Sequence, residues 1–198
     1  RRPRPSDPVP SAAPAAASPS PVAASPSAAL TSSPASPGAG AASVWGLSAA
    51  AVAAAKAAFP GWAATPPAEL ARLLHRIADL VEARVEQLAI VETTDNGALL
   101  RSHLRGVMPR VAHNFRFFAD YLVNDLHHPE FETRGHRNHV SWDPSGVAVL
   151  ITPWNAPLML ATWRIGPALA AGNTVVAKPP EWAPLTASLF ADIAHEAG

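Results

Sequence analysis

The chain has 198 residues, with 15 Lys and Arg balanced by 15 Asp and Glu, and it contains no cysteine. A formal net charge of zero without long charge runs argues against a nucleic-acid-binding face. Lack of cysteine excludes a disulfide scaffold and a thiolate-ligated metal, and no apolar run reaches the roughly 18 residues that a membrane-spanning helix needs.

Through Gly40 the chain is almost wholly Ala, Pro and Ser, with no aromatic residue and a single acid, Asp7. Such a segment cannot bury enough apolar surface to offset the entropy of ordering it, so residues 1–43 are expected to be a disordered arm. Arg1, Arg2 and Arg4 followed by Ser, Ala and Pro have the composition of an organelle transit peptide. The segment shows neither an amphipathic period nor an apolar h-region, so a flexible linker or a mis-assigned reading start is the better reading. Gly38-Ala39-Gly40 imitates the start of a dinucleotide fingerprint, but no strand precedes it and composition accounts for it. Residues 44–198, with ordinary proportions of Leu, Val, Ile, Trp and Phe, are long enough to build a core.

Ser48 is placed to cap a short helix over Ala49 to Ala58, ended by Pro60-Gly61. Thr65, with Pro66 and Pro67 in the first turn, opens a stronger helix that closes at Asn96-Gly97. Its stripe is Leu70, Leu73, Leu74, Ile77, Leu80, Val81, Val85 and Leu88, with Arg72, Arg76, Asp79, Glu82 and Glu86 on the wet side. A further helix is predicted from Ser102 to about Val123, with Val107, Val111, Phe115, Phe118 and Leu122 inward and Pro109 starting or kinking it. The Phe115, Phe117, Phe118 and Tyr121 cluster reads as core, and Trp142, Trp163 and Trp182 read as packing residues. Phe131 to Trp142 has the loose alternation of a hairpin or edge strand, and Asp143-Pro144-Ser145-Gly146 is a turn. His127-His128 and His136/His139 fall in a loop and an irregular hairpin without a third partner, so they read as surface histidines and no metal site is expected.

Val147 to Ile151 is an unbroken apolar run, predicted to be a strand covered on both faces. Pro157 to Ala171 follows as a helix, Thr174 to Ala177 as a second buried strand, and Pro184 to Ala197 as a second helix. This strand–helix–strand–helix spacing predicts an α/β fold: the first two βα units of an incomplete doubly wound parallel sheet, preceded by helices and a β-hairpin. Ligands of such sheets bind at the carboxyl ends of the strands, where Ile151 to Asn155 and Lys178 to Glu181 fall. With only two strands, the outer edge of the second is expected to lie open and to favour aggregation.

Ile151-Thr152-Pro153-Trp154-Asn155-Ala156-Pro157, the Gly166 to Val176 segment and Lys178-Pro179-Pro180-Glu181 resemble the aldehyde dehydrogenase superfamily. The resemblance runs from Ser48 to Gly198. The Asn114 to Tyr121 stretch and Glu181-Trp182-Ala183-Pro184 lean toward its 5-carboxymethyl-2-hydroxymuconate semialdehyde dehydrogenase branch. The resemblance implies that Asn155 donates a hydrogen bond to the oxyanion formed when a thiolate attacks an aldehyde. It implies that Lys178 and Glu181 hold the adenosine ribose of NAD, with NADP the alternative. Ile151, Thr152, Pro153 and Trp154 would line the same cleft. Pro180 stands where relatives often carry serine or alanine, so one backbone N–H is missing.

The family's second cofactor turn, general-base glutamate and nucleophilic cysteine would lie beyond Gly198, and no cysteine is present. The chain thus reads as an N-terminal fragment of a cytoplasmic, homo-oligomeric enzyme that oxidises a small semialdehyde, with residues 131–142 a possible oligomerisation hairpin. No nucleic-acid or membrane partner is expected. The isolated chain should be inactive. Two alternatives are a catalytically inactive nucleotide-binding or scaffolding module, and an interaction role for the arm, which lacks aromatic anchors and a Pro-x-x-P register.

Overall fold

The computed structural model describes residues 30–32, 48–126 and 128–198. Helix α1 (Ala49–Ala63) is followed by α2 (Pro67–Glu82), α3 (Val85–Asn96) and a single turn, α4 (Leu100–Ser102). A π-helical turn, His103–Val107, then leads into α5 (Met108–Asn124). A hairpin, β2 (Glu130–Thr133) and β3 (His136–His139), precedes the alternating unit β4 (Val147–Ile151), α6 (Pro157–Ala170), β5 (Thr174–Lys178) and α7 (Leu185–Ala197). A short strand from the arm, β1 (Leu30–Ser32), completes the inventory.

β4 and β5 run parallel with Val147 beside Thr174 and Ile151 beside Lys178, so the strands start and end level. The sheet has the order β1-β5-β4, which makes β5 the central strand. Ala51 and Ala55 of α1 pack on Val176 from one face. Leu158, Ile165 and Leu169 of α6 and Phe190 of α7 share a core with Val175 on the other. Helices on both faces of a parallel sheet are the expected α/β arrangement. The main core continues between α2 and α5, where Leu70, Leu74, Ile77 and Val81 meet Met108, Val111 and Phe115. Trp62 closes the junction by donating its indole N–H to the Leu169 carbonyl at 3.1 Å.

Several local expectations are corrected. α1 does not stop before Pro60 but runs through it to Ala63, losing only the one hydrogen bond that proline cannot donate. The Thr65-to-Asn96 stripe is broken into two helices at Ala83-Arg84, where Arg84 leaves the helical region (φ −119°, ψ 17°) and its guanidinium pairs with Glu196 of α7. Pro66, not Thr65, occupies the cap of α2; the Thr65 hydroxyl donates instead to the Gly61 carbonyl.

β4 is not covered on both faces: Val149 and Ile151 are 44% and 52% exposed, because α1 reaches only as far as Val147 on that side. The outer edge of β5 is not open either, since Leu30–Ser32 pairs with Val175–Ala177. The remainder of the 1–43 arm, including Gly38-Ala39-Gly40, lies outside the described residues, as does His127. The predicted hairpin is present, closed by Arg134 and Gly135 with φ of 52° and 78°. Two left-handed residues give the turn twist that a two-residue hairpin loop favours.

At the entry to β4 the chain is fixed by its neighbour. The Asn173 side-chain oxygen accepts from the backbone N–H of Ser145 (2.7 Å) and Gly146 (3.0 Å), while Thr174 N–H donates to the Gly146 carbonyl. Gly172 has φ +78°, and a Cβ there would lie 3.1 Å from Cγ of Pro144.

Candidate functional site

The level ends of β4 and β5 set the loops Thr152–Asn155 and Pro179–Pro184 side by side. Thr152 N–H donates to the Lys178 carbonyl at 3.3 Å, extending the ladder one residue beyond the last strand pair. Thr152 and Pro180 are buried, whereas Pro153, Trp154, Asn155 and Glu181 are exposed. Lys178 is half-buried, and its Nζ lies 3.5 Å from Glu181 Oε1 on the open side. The structure therefore brings together the strand-end segments carrying every residue singled out for cofactor and oxyanion contacts.

Two concavities lie here. A slot of about 20 Å³ between Thr152, Pro157, Ala161, Ala177, Pro180 and Phe190 holds no more than a water. An open cleft of about 400 Å³ is walled by Trp154, Trp182 and Ala183 from the two loops and by Asp95 and Asn96 from the end of α3. Trp182 is 82% exposed and Trp154 62% exposed, so both side chains are open to solvent. The reading of Trp182 and Trp142 as packing residues is overturned, since Trp142 is also 59% exposed. Trp163 is half-exposed and donates its N–H to the Asn114 side-chain oxygen at 2.8 Å. Of the aromatic cluster on α5, only Phe115 is fully buried; Phe117 and Tyr121 stack on each other at the surface. His136 and His139 are exposed on the hairpin, His139 lying 3.3 Å from Glu130 across the strands.

Sequence reasoning passed over Glu92. It is fully buried, and its Oε2 accepts from the Thr186 hydroxyl (2.8 Å) and from Leu158 N–H (3.4 Å). Burial, and more weakly the nearby Asp95 charge, push its carboxyl above the ordinary glutamate range against the pull of those two hydrogen bonds. His103, also buried, has Nδ1 3.8 Å from Glu92 Oε1, and burial pushes that imidazole down. One step along the helix, Asp95 Oδ2 accepts from Leu185 N–H at 2.8 Å. The signal was available: Glu92 continues the Val85–Leu88 stripe, an acid where helical spacing calls for an apolar residue.

Comparison with known proteins agrees with this architecture. The aldehyde dehydrogenase family model matches residues 46–198. The chain is 46% identical over 153 residues to 2-aminomuconic semialdehyde dehydrogenase of Danio rerio, and 42% identical over 150 residues to 5-carboxymethyl-2-hydroxymuconate semialdehyde dehydrogenase of Escherichia coli. Each match covers 75% of this chain but only 31% and 32% of those relatives, so the chain spans about a third of their length. Among solved structures, an aldehyde dehydrogenase from Burkholderia cenocepacia superposes with a TM-score of 0.70 at 44% identity, covering 74% of this chain and 30% of that one. PnpE in complex with nicotinamide adenine dinucleotide gives a TM-score of 0.70 at 41% identity, with the same coverage. With the family model matched from residue 46 to residue 198, well over half of its length, the chain belongs to the aldehyde dehydrogenase family.

Proposed function

We propose that this chain forms the first part of the cofactor-binding domain of an NAD-dependent aldehyde dehydrogenase that oxidises a semialdehyde to a carboxylate. The observation that carries the reading is the level register of β4 and β5, which sets the Asn155 loop beside Lys178 and Glu181. Solved relatives at this similarity include one holding nicotinamide adenine dinucleotide, and the two curated relatives above are named as semialdehyde dehydrogenases.

The residues present fit the dinucleotide. An exposed carboxylate and a neighbouring ammonium at a strand exit suit the hydroxyls of an adenosine ribose, Glu181 accepting and Lys178 donating. The same carboxylate disfavours a 2′-phosphate, so NAD is preferred to NADP. Ile151, Thr152, Pro153 and Trp154 are assigned to the adjoining wall of the bound cofactor, where Pro180 has a carbonyl to offer but no N–H. NAD supplies the hydride acceptor when bound. Asn155, exposed and neutral, donates its side-chain N–H to the developing oxyanion, a contribution of about 2.7–4 kcal/mol where such donors have been removed. The thiolate that attacks the aldehyde is not supplied by this cysteine-free sequence.

Hairpin β2–β3, exposed along nearly its whole length, is the proposed element of homo-oligomer assembly. Among the described residues no helix is long and apolar enough to cross a membrane, and a cytoplasmic location is proposed.

The test is titration of the purified chain with NAD, NADP and ADP-ribose, followed by saturation-transfer NMR. NAD and ADP-ribose bind, NADP binds more weakly, and Glu181→Gln weakens NAD by about tenfold, the loss of one charged hydrogen bond. Aldehyde oxidation by the chain alone is absent. No detectable binding of NAD or ADP-ribose at millimolar concentration overturns the cofactor assignment.

A further inference from the structure

Helices α6 and α7 each begin directly after one of the two site loops, and neither makes a side-chain cap of its own. Ala156 and Pro184 occupy the cap positions, and no acid stands in either first turn. The exposed N–H groups at such ends need a partner. The partners come from α3: Glu92 accepts from Leu158 N–H and the Thr186 hydroxyl, and Asp95 from Leu185 N–H. Residues 92 and 95 are three apart and share one face of α3. Among the described residues, Thr152 N–H also donates to the Lys178 carbonyl, where the two strands give way to the loops.

Glu92 touches both βα units at once through a single oxygen. A buried carboxyl is an expensive way to achieve stability alone, since an apolar side chain would fill the same space. What the carboxyl adds is a fixed spacing between two helix starts, and Asp95 repeats the contact at the rim of the open cleft.

We propose that Glu92 and Asp95 are positioning residues: from α3 they hold the starts of α6 and α7, and thereby set the separation of the Asn155 loop from the Lys178–Glu181 loop. The consequence for cofactor binding rests on the function proposed above, whereas the spacing itself does not.

The experiment uses the 15N-labelled chain and reads three quantities in each variant. These are the Asn155 side-chain and Glu181 backbone amide resonances without nucleotide, the affinity for NAD, and the melting temperature. Thr186→Val removes one donor at constant size; Asp95→Ala removes the rim contact; Glu92→Gln keeps an acceptor. Thr186→Val and Asp95→Ala are expected to shift or broaden both loop resonances and to weaken NAD by about three- to tenfold. Glu92→Gln should retain the wild-type loop resonances and affinity, whatever its melting temperature. Lower melting temperatures in Thr186→Val and Asp95→Ala with both loops unmoved overturn the proposal and leave a purely structural role. Loop shifts in a chain whose wild type binds no NAD would sustain the positioning role while defeating the cofactor assignment.

Discussion

Two acid–base pairs of similar separation occupy opposite environments. Lys178 and Glu181 lie 3.5 Å apart with the carboxylate 81% exposed; Glu92 and His103 lie 3.8 Å apart with side chains 0% and 2% exposed. In water the attraction within the first pair is screened, and both groups remain open to a ligand. In the interior each group of the second pair is pushed toward its neutral form, so it is not a salt bridge in the energetic sense. Burial, not distance, decides which pair can meet a ligand and which holds the frame.

Mutations can break this contrast. The largest effect is expected from Glu92→Ala, which strands the Thr186 hydroxyl and Leu158 N–H and leaves a cavity. A loss of about 2–4 kcal/mol in urea denaturation follows. A neutral result would mean that the two donors find other partners.

Smaller, and signed, is the pH response. His103 has a folded pKa below its ordinary 6.5, so its contribution is full above that value and is lost as pH falls through the folded one. Glu92 has a raised folded pKa, so its contribution is full below the ordinary glutamate range and declines as pH rises through the folded value. His103→Gln should therefore reduce the loss of stability on acidification below about pH 6.5. Denaturation midpoints at pH 5 and pH 7.5 measure it; an undiminished difference would place the acid sensitivity elsewhere. The smallest expected change is in the exposed pair: Glu181→Gln should alter stability by no more than about 0.5 kcal/mol. A loss of several times that would show that the surface pair is structural.

Much of the frame was legible because period and punctuation agreed. The Leu70–Val81 stripe, the left-handed Gly97 stop and the β4–α6–β5–α7 alternation each carry their own local signal. What sequence could not show is relational. The apolar run Val147–Ile151 looks as buried as any central strand, yet β4 lies at the sheet edge and two of its residues meet solvent. The pairing of Leu30–Ser32 with β5 has no periodic signal in an Ala/Pro/Ser tract. Trp182 was misjudged because indole size predicts burial on average, while a strand-end loop presents whatever it carries. At the site, the Asn155 and Lys178–Glu181 segments were readable from motif. Glu92 acts across 66 and 94 residues, and no local pattern encodes a partner that distant.

Gly172 shows how far one small choice carries. Any side chain at that position would have to displace the Pro144 ring and adopt an unfavourable left-handed backbone. The ring precedes β4 and the glycine precedes β5, so the disturbance would fall on the alignment of the two strands at their amino ends. Slipping by one residue inverts which face every side chain occupies. Roughly 16 Å away, at five residues of strand rise, Thr152 would then no longer find the Lys178 carbonyl. Vernier-like, the carboxyl edge inherits its accuracy from a hydrogen atom at the opposite end of the sheet.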